Sequence, residues 1–166
     1  MPIGILKLYT SKYKAELRAL RNILGFVPGN FRLYRLALRH KSVASDIHKK
    51  GVKNSNERLE FLGDAILGSV VAEVLFKKFP YKDEGFLTEM RSKMVNRSHL
   101  NQLSKKMGIS DLIDYDTKLN NMGNKNSSLF GDAFEAMVGA IYLDKGYEFT
   151  RKFIINRIII PHVDID

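Results

Sequence analysis

Apolar residues recur every three or four positions along most of the chain, and no stretch keeps the strict apolar–polar alternation of a half-buried strand. The pattern predicts an all-α fold, a helical bundle. Ser11 is expected to cap a helix running through Leu20 and Leu24 to a stop at Gly25. Asn30 is expected to cap a short one containing Leu33, Leu36 and Ala37. The segment from Ser42 to Ser55, rich in Lys, Ser, Gly and Asn, reads as a loop. From Asn56 to about Phe79 comes the strongest helical signal, with Leu59, Leu62, Ile66, Val70 and Val74 on one stripe and Pro80 ending it. Asp83 opens a further helix through Phe86, Met90 and Met94, with a break at Asn96 to Ser98 before Leu100, Leu103 and Gly108. The polar string DTKLNNMGNKNSS, Asp116 to Ser128, predicts an exposed loop. A second strongly apolar helix is predicted from Ser128 to Lys145, ended by Gly146, and a last one from Phe149 to Ile160, stopped by Pro161.

Length and composition narrow this picture. A chain of 166 residues with 45% hydrophobic content suits one domain. No run of about 18 uncharged apolar residues and no secretory leader occurs, so no membrane partner is expected and a cytoplasmic location is. With no cysteine, thiolate metal sites and cysteine nucleophiles are excluded. Any metal must be held by oxygen or imidazole. The formal charge of +9 is uneven: residues 1 to 55 hold 12 Lys and Arg against 2 Asp and Glu, the remainder 15 against 16. Clustered cations suit a polyanion partner, although a solvated basic surface gives the same count.

Against this background the acids in the two most apolar helices stand out. Glu57, Glu60 and Asp64 lie at i, i+3 and i+7, on one helical face and bordered by Leu59, Phe61, Leu62, Ala65 and Ile66. Asp132 and Glu135 repeat the i, i+3 spacing among Leu129, Phe130, Ala133, Phe134, Ala136 and Met137. Like charges next to a core are costly unless something cationic compensates. A hard divalent cation with oxygen ligands is one solution, and such a site suits phosphodiester hydrolysis. Salt bridges to Arg58, Arg91 or lysines are the other. Gly63 and Gly131 sit beside these acids, and with Gly139 and Ala140 they form a small-residue seam suited to close helix packing.

The string NERLEFLGDAIL, Asn56 to Leu67, closely resembles the signature of the ribonuclease III family, and GDAFEAMVGAIYLD, Gly131 to Asp144, resembles that family's second acidic motif. ALRHKS (Ala37 to Ser42) and DEGFLTEMRSKMVN (Asp83 to Asn96) are similar to the segments that precede and separate the motifs. The resemblance covers roughly Phe31 to Gly146, leaving residues 1–30 as an N-terminal helical extension. It implies the endonuclease-domain fold, a magnesium-dependent nuclease acting on double-stranded RNA, with manganese as a substitute ion, and Glu60, Asp64, Asp132 and Glu135 as catalytic, metal-binding carboxylates. Glu57 and Glu84 match accessory acids, and Phe61 matches an aromatic that enters a partner pocket in a homodimer. Lys118, Asn121, Asn124 and Lys125 fall where members carry a variable RNA-contacting loop, with a plain surface loop as the alternative. Asn96 matches a polar position near the active site, though its spacing also suits a helix break. His40 reads as a buried or capping imidazole, and Phe130 and Phe134 as core.

One departure concerns length. Typical bacterial members continue into a double-stranded-RNA-binding domain, whereas this sequence stops at Asp166, so a catalytic fragment is expected, with a naturally short member as the alternative. Two rival readings share the helical pattern. A non-catalytic RNA-binding or ribosome-associated protein of the same fold would have lost the acids, and all four are present. A helical protein-interaction domain gives no reason for two inward acid pairs.

Overall fold

The computed structural model describes residues 3–44, 51, 53–118 and 128–162, the side chains of 3–10 and 162 excepted. Its helices are α1 (Ile3–Leu24), α2 (Phe31–Ala37), α3 (Glu57–Lys78), α4 (Glu84–Met94), α5 (Arg97–Met107), α6 (Leu129–Lys145), α7 (Tyr147–Ile154) and α8 (Ile160–His162), the last two joined through a π-helical turn, Ile155–Ile159. The described residues contain no strand, and an isolated parallel bridge joins Arg39 and Asp114. The all-α expectation is met.

α3 and α6 form the centre. Ten of the 17 residues of α6 are buried, because α2, α3 and α5 all pack against it. Contact between α3 and α6 is backbone to backbone. A Cβ placed on Gly63 would lie 1.7 Å from the carbonyl oxygen of Glu135, and one on Gly139 would lie 2.4 Å from that of Leu59. No other residue fits at either position. Val70, Val71 and Leu75 of α3 and Phe134, Met137 and Ile141 of α6 continue the core on either side of this crossing.

Several helix ends follow local chemistry. Asp83 accepts the N–H of Phe86 at 2.9 Å and caps α4. Asn96 accepts the N–H of His99 at 2.8 Å to cap α5 while its amide donates to the carbonyl of Lys93, also at 2.8 Å, closing the end of α4. Gly108, at φ +81°, ends α5 in the left-handed conformation glycine favours. Other ends differ from expectation. α1 already begins at Ile3, and Ser11 lies exposed inside it, where a serine costs under about 0.7 kcal/mol relative to alanine. Asn30 sits at the N-cap of α2 but its side chain makes no capping bond. Asp144 does that work from the end of α6, accepting N–H bonds from Gly29 at 2.8 Å and Asn30 at 2.7 Å and the hydroxyl of Tyr34 at 2.7 Å. Burial alone would raise the Asp144 pKa, but these three donors hold it below the usual carboxylate range. The last helical run starts at Tyr147 and passes Pro161, which lies in the final turn. The π turn before it widens the backbone, easing the clash between a proline ring and the carbonyl four residues back.

Candidate metal centre

The N-terminal turns of α3 and α6 come together at the glycine crossing, and this sets the position of their acids. Glu60, Asp132 and Glu135 converge, with one ligand oxygen from each lying within 4.8 Å of the others. All three are half-buried. They line a cavity of about 210 Å³ whose remaining walls are Val95, Arg97, Leu100 and Gly131. α5 is held against this opening by the N–H of Gly131 donating to Asn101 Oδ1 at 2.7 Å, and a Cβ at Gly131 would lie 3.3 Å from Leu100 Cβ.

The electrostatics are those of a carboxylate cluster without a counter-ion. Burial pushes the Glu135 pKa up to about 8, helped by the charges of Asp64, Glu60 and Asp132 and opposed by Arg97. Glu60 is raised for the same reasons, burial first and then Asp132, with Lys41 opposing. Among the described residues no lysine or arginine comes within 4.0 Å of Glu60, Asp64, Asp132 or Glu135 to form an ion pair. The salt-bridge explanation of these acids through Arg58 or Arg91 is therefore not what the fold builds. Arg91 instead packs its guanidinium about 3.2 Å from where a Cβ on Gly68 would be. Three half-buried carboxylates at this separation fit a hard divalent cation.

Asp64 is exposed and stands outside the three-residue cluster, although its charge acts on Glu135. Glu57 is exposed and occupied, bonded by the Ser55 hydroxyl at 3.0 Å and paired with Lys41 at 3.5 Å. Glu84 lies exposed on α4, accepting the Thr88 hydroxyl at 2.8 Å. Phe61 projects from α3 with 80% of its surface exposed. Lys118 is exposed, while Asn121, Asn124 and Lys125 fall outside the described residues.

Around the acids, the ALRHKS segment acts as scaffold. His40 is buried, and its Nδ1 accepts the N–H of Ser42 at 3.2 Å, capping the 3₁₀ turn Lys41–Val43. Burial, then Lys41, lowers its pKa, so it is neutral at pH 7. The Ser42 hydroxyl lies 2.8 Å from the same nitrogen and accepts the N–H of Asp116 at 3.0 Å, tying this segment to the start of the polar loop. Ser128 donates to Asp132 Oδ2 at 2.8 Å and so orients that carboxylate. Phe134 is core, whereas Phe130 is half-buried, meeting Tyr115 edge-on with Lys105 over its ring. The sequence reading did not single out Arg97 or Ser128. A signal for Arg97 existed: it is a cation in the first turn of α5, where no acid occurs and the helix dipole disfavours positive charge.

A sequence profile of the Ribonuclease-III-like family matches residues 30–162. The chain belongs to that family. Ribonuclease 3 of Azobacteroides pseudotrichonymphae is 48% identical over 158 residues, which is 95% of this chain and 59% of that protein. Ribonuclease 3 of Bacteroides fragilis is 47% identical over 164 residues, 99% of this chain and 55% of that protein. The chain thus spans a little over half the length of these curated relatives. Among solved structures, the nuclease domain of ribonuclease III from Campylobacter jejuni is 35% identical with a TM-score of 0.75, covering 90% of this chain and 98% of that one. A second structure of that domain, described as flexible in a region involved in dimer formation, is 36% identical with a TM-score of 0.71, covering 84% and 93%. Within this ribonuclease-III-like fold, no helix among the described residues is long and apolar enough to cross a membrane.

Proposed function

We propose that this chain is the catalytic part of a cytoplasmic, magnesium-dependent endoribonuclease that hydrolyses double-stranded RNA as a homodimer. Each subunit cuts one strand, leaving 5′-phosphates and short 3′ overhangs, and precursors of ribosomal and messenger RNA are the substrates in view. The observation that carries this reading is the convergence of Glu60, Asp132 and Glu135 in one cavity where two motif helices of a ribonuclease-III-like chain cross.

Glu60, Asp132 and Glu135 would hold the ion, with Asp64, more exposed but close enough for its charge to act on Glu135, as the fourth carboxylate of the centre. When bound, a divalent ion supplies Lewis-acid stabilisation of phosphoryl charge and renders water acidic enough to lose a proton near neutral pH. Manganese offers the same oxygen-ligand chemistry. The reaction adds water at phosphorus and breaks the bond to the 3′ oxygen, so the products carry a 5′-phosphate and a 3′-hydroxyl. Glu135 must give up its proton before it can act as a ligand, which makes activity rise with pH in the neutral range. Glu57 and Glu84 belong to the acidic surround rather than the cluster, and Lys118 with the asparagines and lysine of the following loop would contact the RNA backbone.

Incubating the chain with a long RNA duplex and magnesium at low salt is expected to yield short duplex products with 5′-phosphates. Glu135→Gln is expected to reduce that cleavage by a factor of about 100 or more while leaving the helical circular-dichroism signal intact. Intact duplex after treatment with the wild-type chain over a wide range of enzyme concentrations would refute the nuclease reading. A fully active Glu135→Gln protein would refute the residue assignment.

A further inference from the structure

Arg97 lines the same cavity as Glu60, Asp132 and Glu135, yet the described residues offer it no ion pair. It is exposed, and it stands at the first position of α5, where the helix dipole disfavours positive charge. Among the described residues the other cation whose charge acts on Glu60, Lys41, is already paired with Glu57 at 3.5 Å. α5 itself cannot swing freely, because Asn101 bonds the backbone of α6 and the carbonyl of Arg97 lies 3.6 Å from the place of a Gly131 Cβ. The geometry therefore offers a guanidinium outside any ion pair among the described residues, anchored at its base, on the wall of an acidic cavity whose charges it already feels. A guanidinium presents five donors in a planar fork that matches two oxygens of one phosphate.

We propose that Arg97 is a phosphate-binding residue of this centre, gripping a non-bridging oxygen pair of the RNA backbone beside the acid cluster. This rests on the reading of the chain as an RNA-duplex endonuclease. The three carboxylates repel the strand that must reach them, and Arg97 offsets that repulsion from the wall of the same cavity. It also explains why a cation tolerates the unfavourable end of α5.

The test uses Arg97→Ala and Arg97→Lys in two settings. In the active chain with magnesium, Arg97→Ala is expected to raise the KM for a short RNA duplex about tenfold or more, the loss of one charge-assisted contact. In a Glu135→Gln background, where the duplex stays whole, the slope of log binding constant against log salt is expected to fall by about 1 for Arg97→Ala. Arg97→Lys is expected to restore the slope, which counts charge, and only part of the affinity, which needs the fork. An unchanged KM and an unchanged slope in Arg97→Ala would overturn the inference. So would a raised KM with an unchanged slope and a lowered Tm, the mark of a purely structural role. Because the slope is read without cleavage, a wild-type chain that binds duplex but never cuts it would sink the nuclease reading and still leave Arg97 decided.

Discussion

At the scale of single residues, the centre is governed by carboxylates that hold their protons too tightly for their type. Glu135 keeps its proton up to about pH 8 in the folded chain against an ordinary 4.5, because burial and the charges of Asp64, Glu60 and Asp132 disfavour its ionised form. The folded state therefore binds a proton that the unfolded state releases, and the contribution of Glu135 to stability is fully present below pH 4.5 and is lost as pH rises through about 8. In a chelator, the Tm of the wild type is expected to drop between pH 5 and pH 8 more steeply than that of Glu135→Gln, by calorimetry or dye-monitored melting. Equal slopes for the two proteins would show that Glu135 is not the group responsible. Magnesium should raise the Tm more at pH 8 than at pH 5, since ion and proton compete for the same oxygens. The acid spacing made this cluster legible in the sequence, but it suggested two equivalent pairs. The fold grades them by burial: Glu60, Asp132 and Glu135 are half-buried and converge, while Asp64, one turn beyond Glu60 on the same face, is more exposed, with its charge still acting on Glu135.

At the scale of elements, the α3–α6 crossing decides whether the acids meet at all. Gly63 lies against the carbonyl of Glu135 itself, so the closest backbone approach and a site carboxylate share one residue. Gly63→Ala places a methyl 1.7 Å from that oxygen and 2.9 Å from the backbone nitrogen of Gly139, neither of which is a flexible side-chain end. Overpacking of an ordinary core costs roughly 1–3 kcal/mol, and the Gly63→Ala penalty is expected at or beyond the top of that range in urea unfolding. A loss under about 0.5 kcal/mol would mean that the helices separate easily. This crossing was readable because glycine is a poor helix former, and its presence beside an acid in a strong apolar stripe asks for a reason. The cap of α2 was not readable. Asn30 has the right residue type, but Asp144 fills the role from the far end of α6, a pairing across more than a hundred residues that no local pattern encodes. The start of α1 was missed for a simpler cause, since an exposed serine neither starts nor stops a helix once its neighbours continue the turn.

At the scale of the whole molecule, α3 carries two faces. One is buried against α6. The other is an exposed line of Phe61, Ala65, Ser69, Ala72 and Phe76, spaced by four, four, three and four residues, with large aromatics at its ends and small side chains between. Phe61 and Phe76 are 80% and 70% exposed, an unfavourable state for two phenylalanines on one helix face. A twofold partner laying its own α3 along this line would bury the same apolar face of both copies, which is the self-complementary arrangement a symmetric dimer requires. Resemblance pointed to Phe61, while Phe76 became visible only once its exposure was known, because an aromatic near an apolar stripe reads as core. Such a dimer would also have to overcome like charge, each copy carrying +9. Sedimentation equilibrium is therefore expected to give twice the chain mass of 19.0 kDa, more firmly as salt rises. Phe61→Asp and Phe76→Asp should each weaken association by about 2 kcal/mol or more, a factor of roughly 30 in Kd, while leaving the monomer folded. A dimer of unchanged Kd in both variants would place the twofold contact on some other face and leave the line of α3 without a partner.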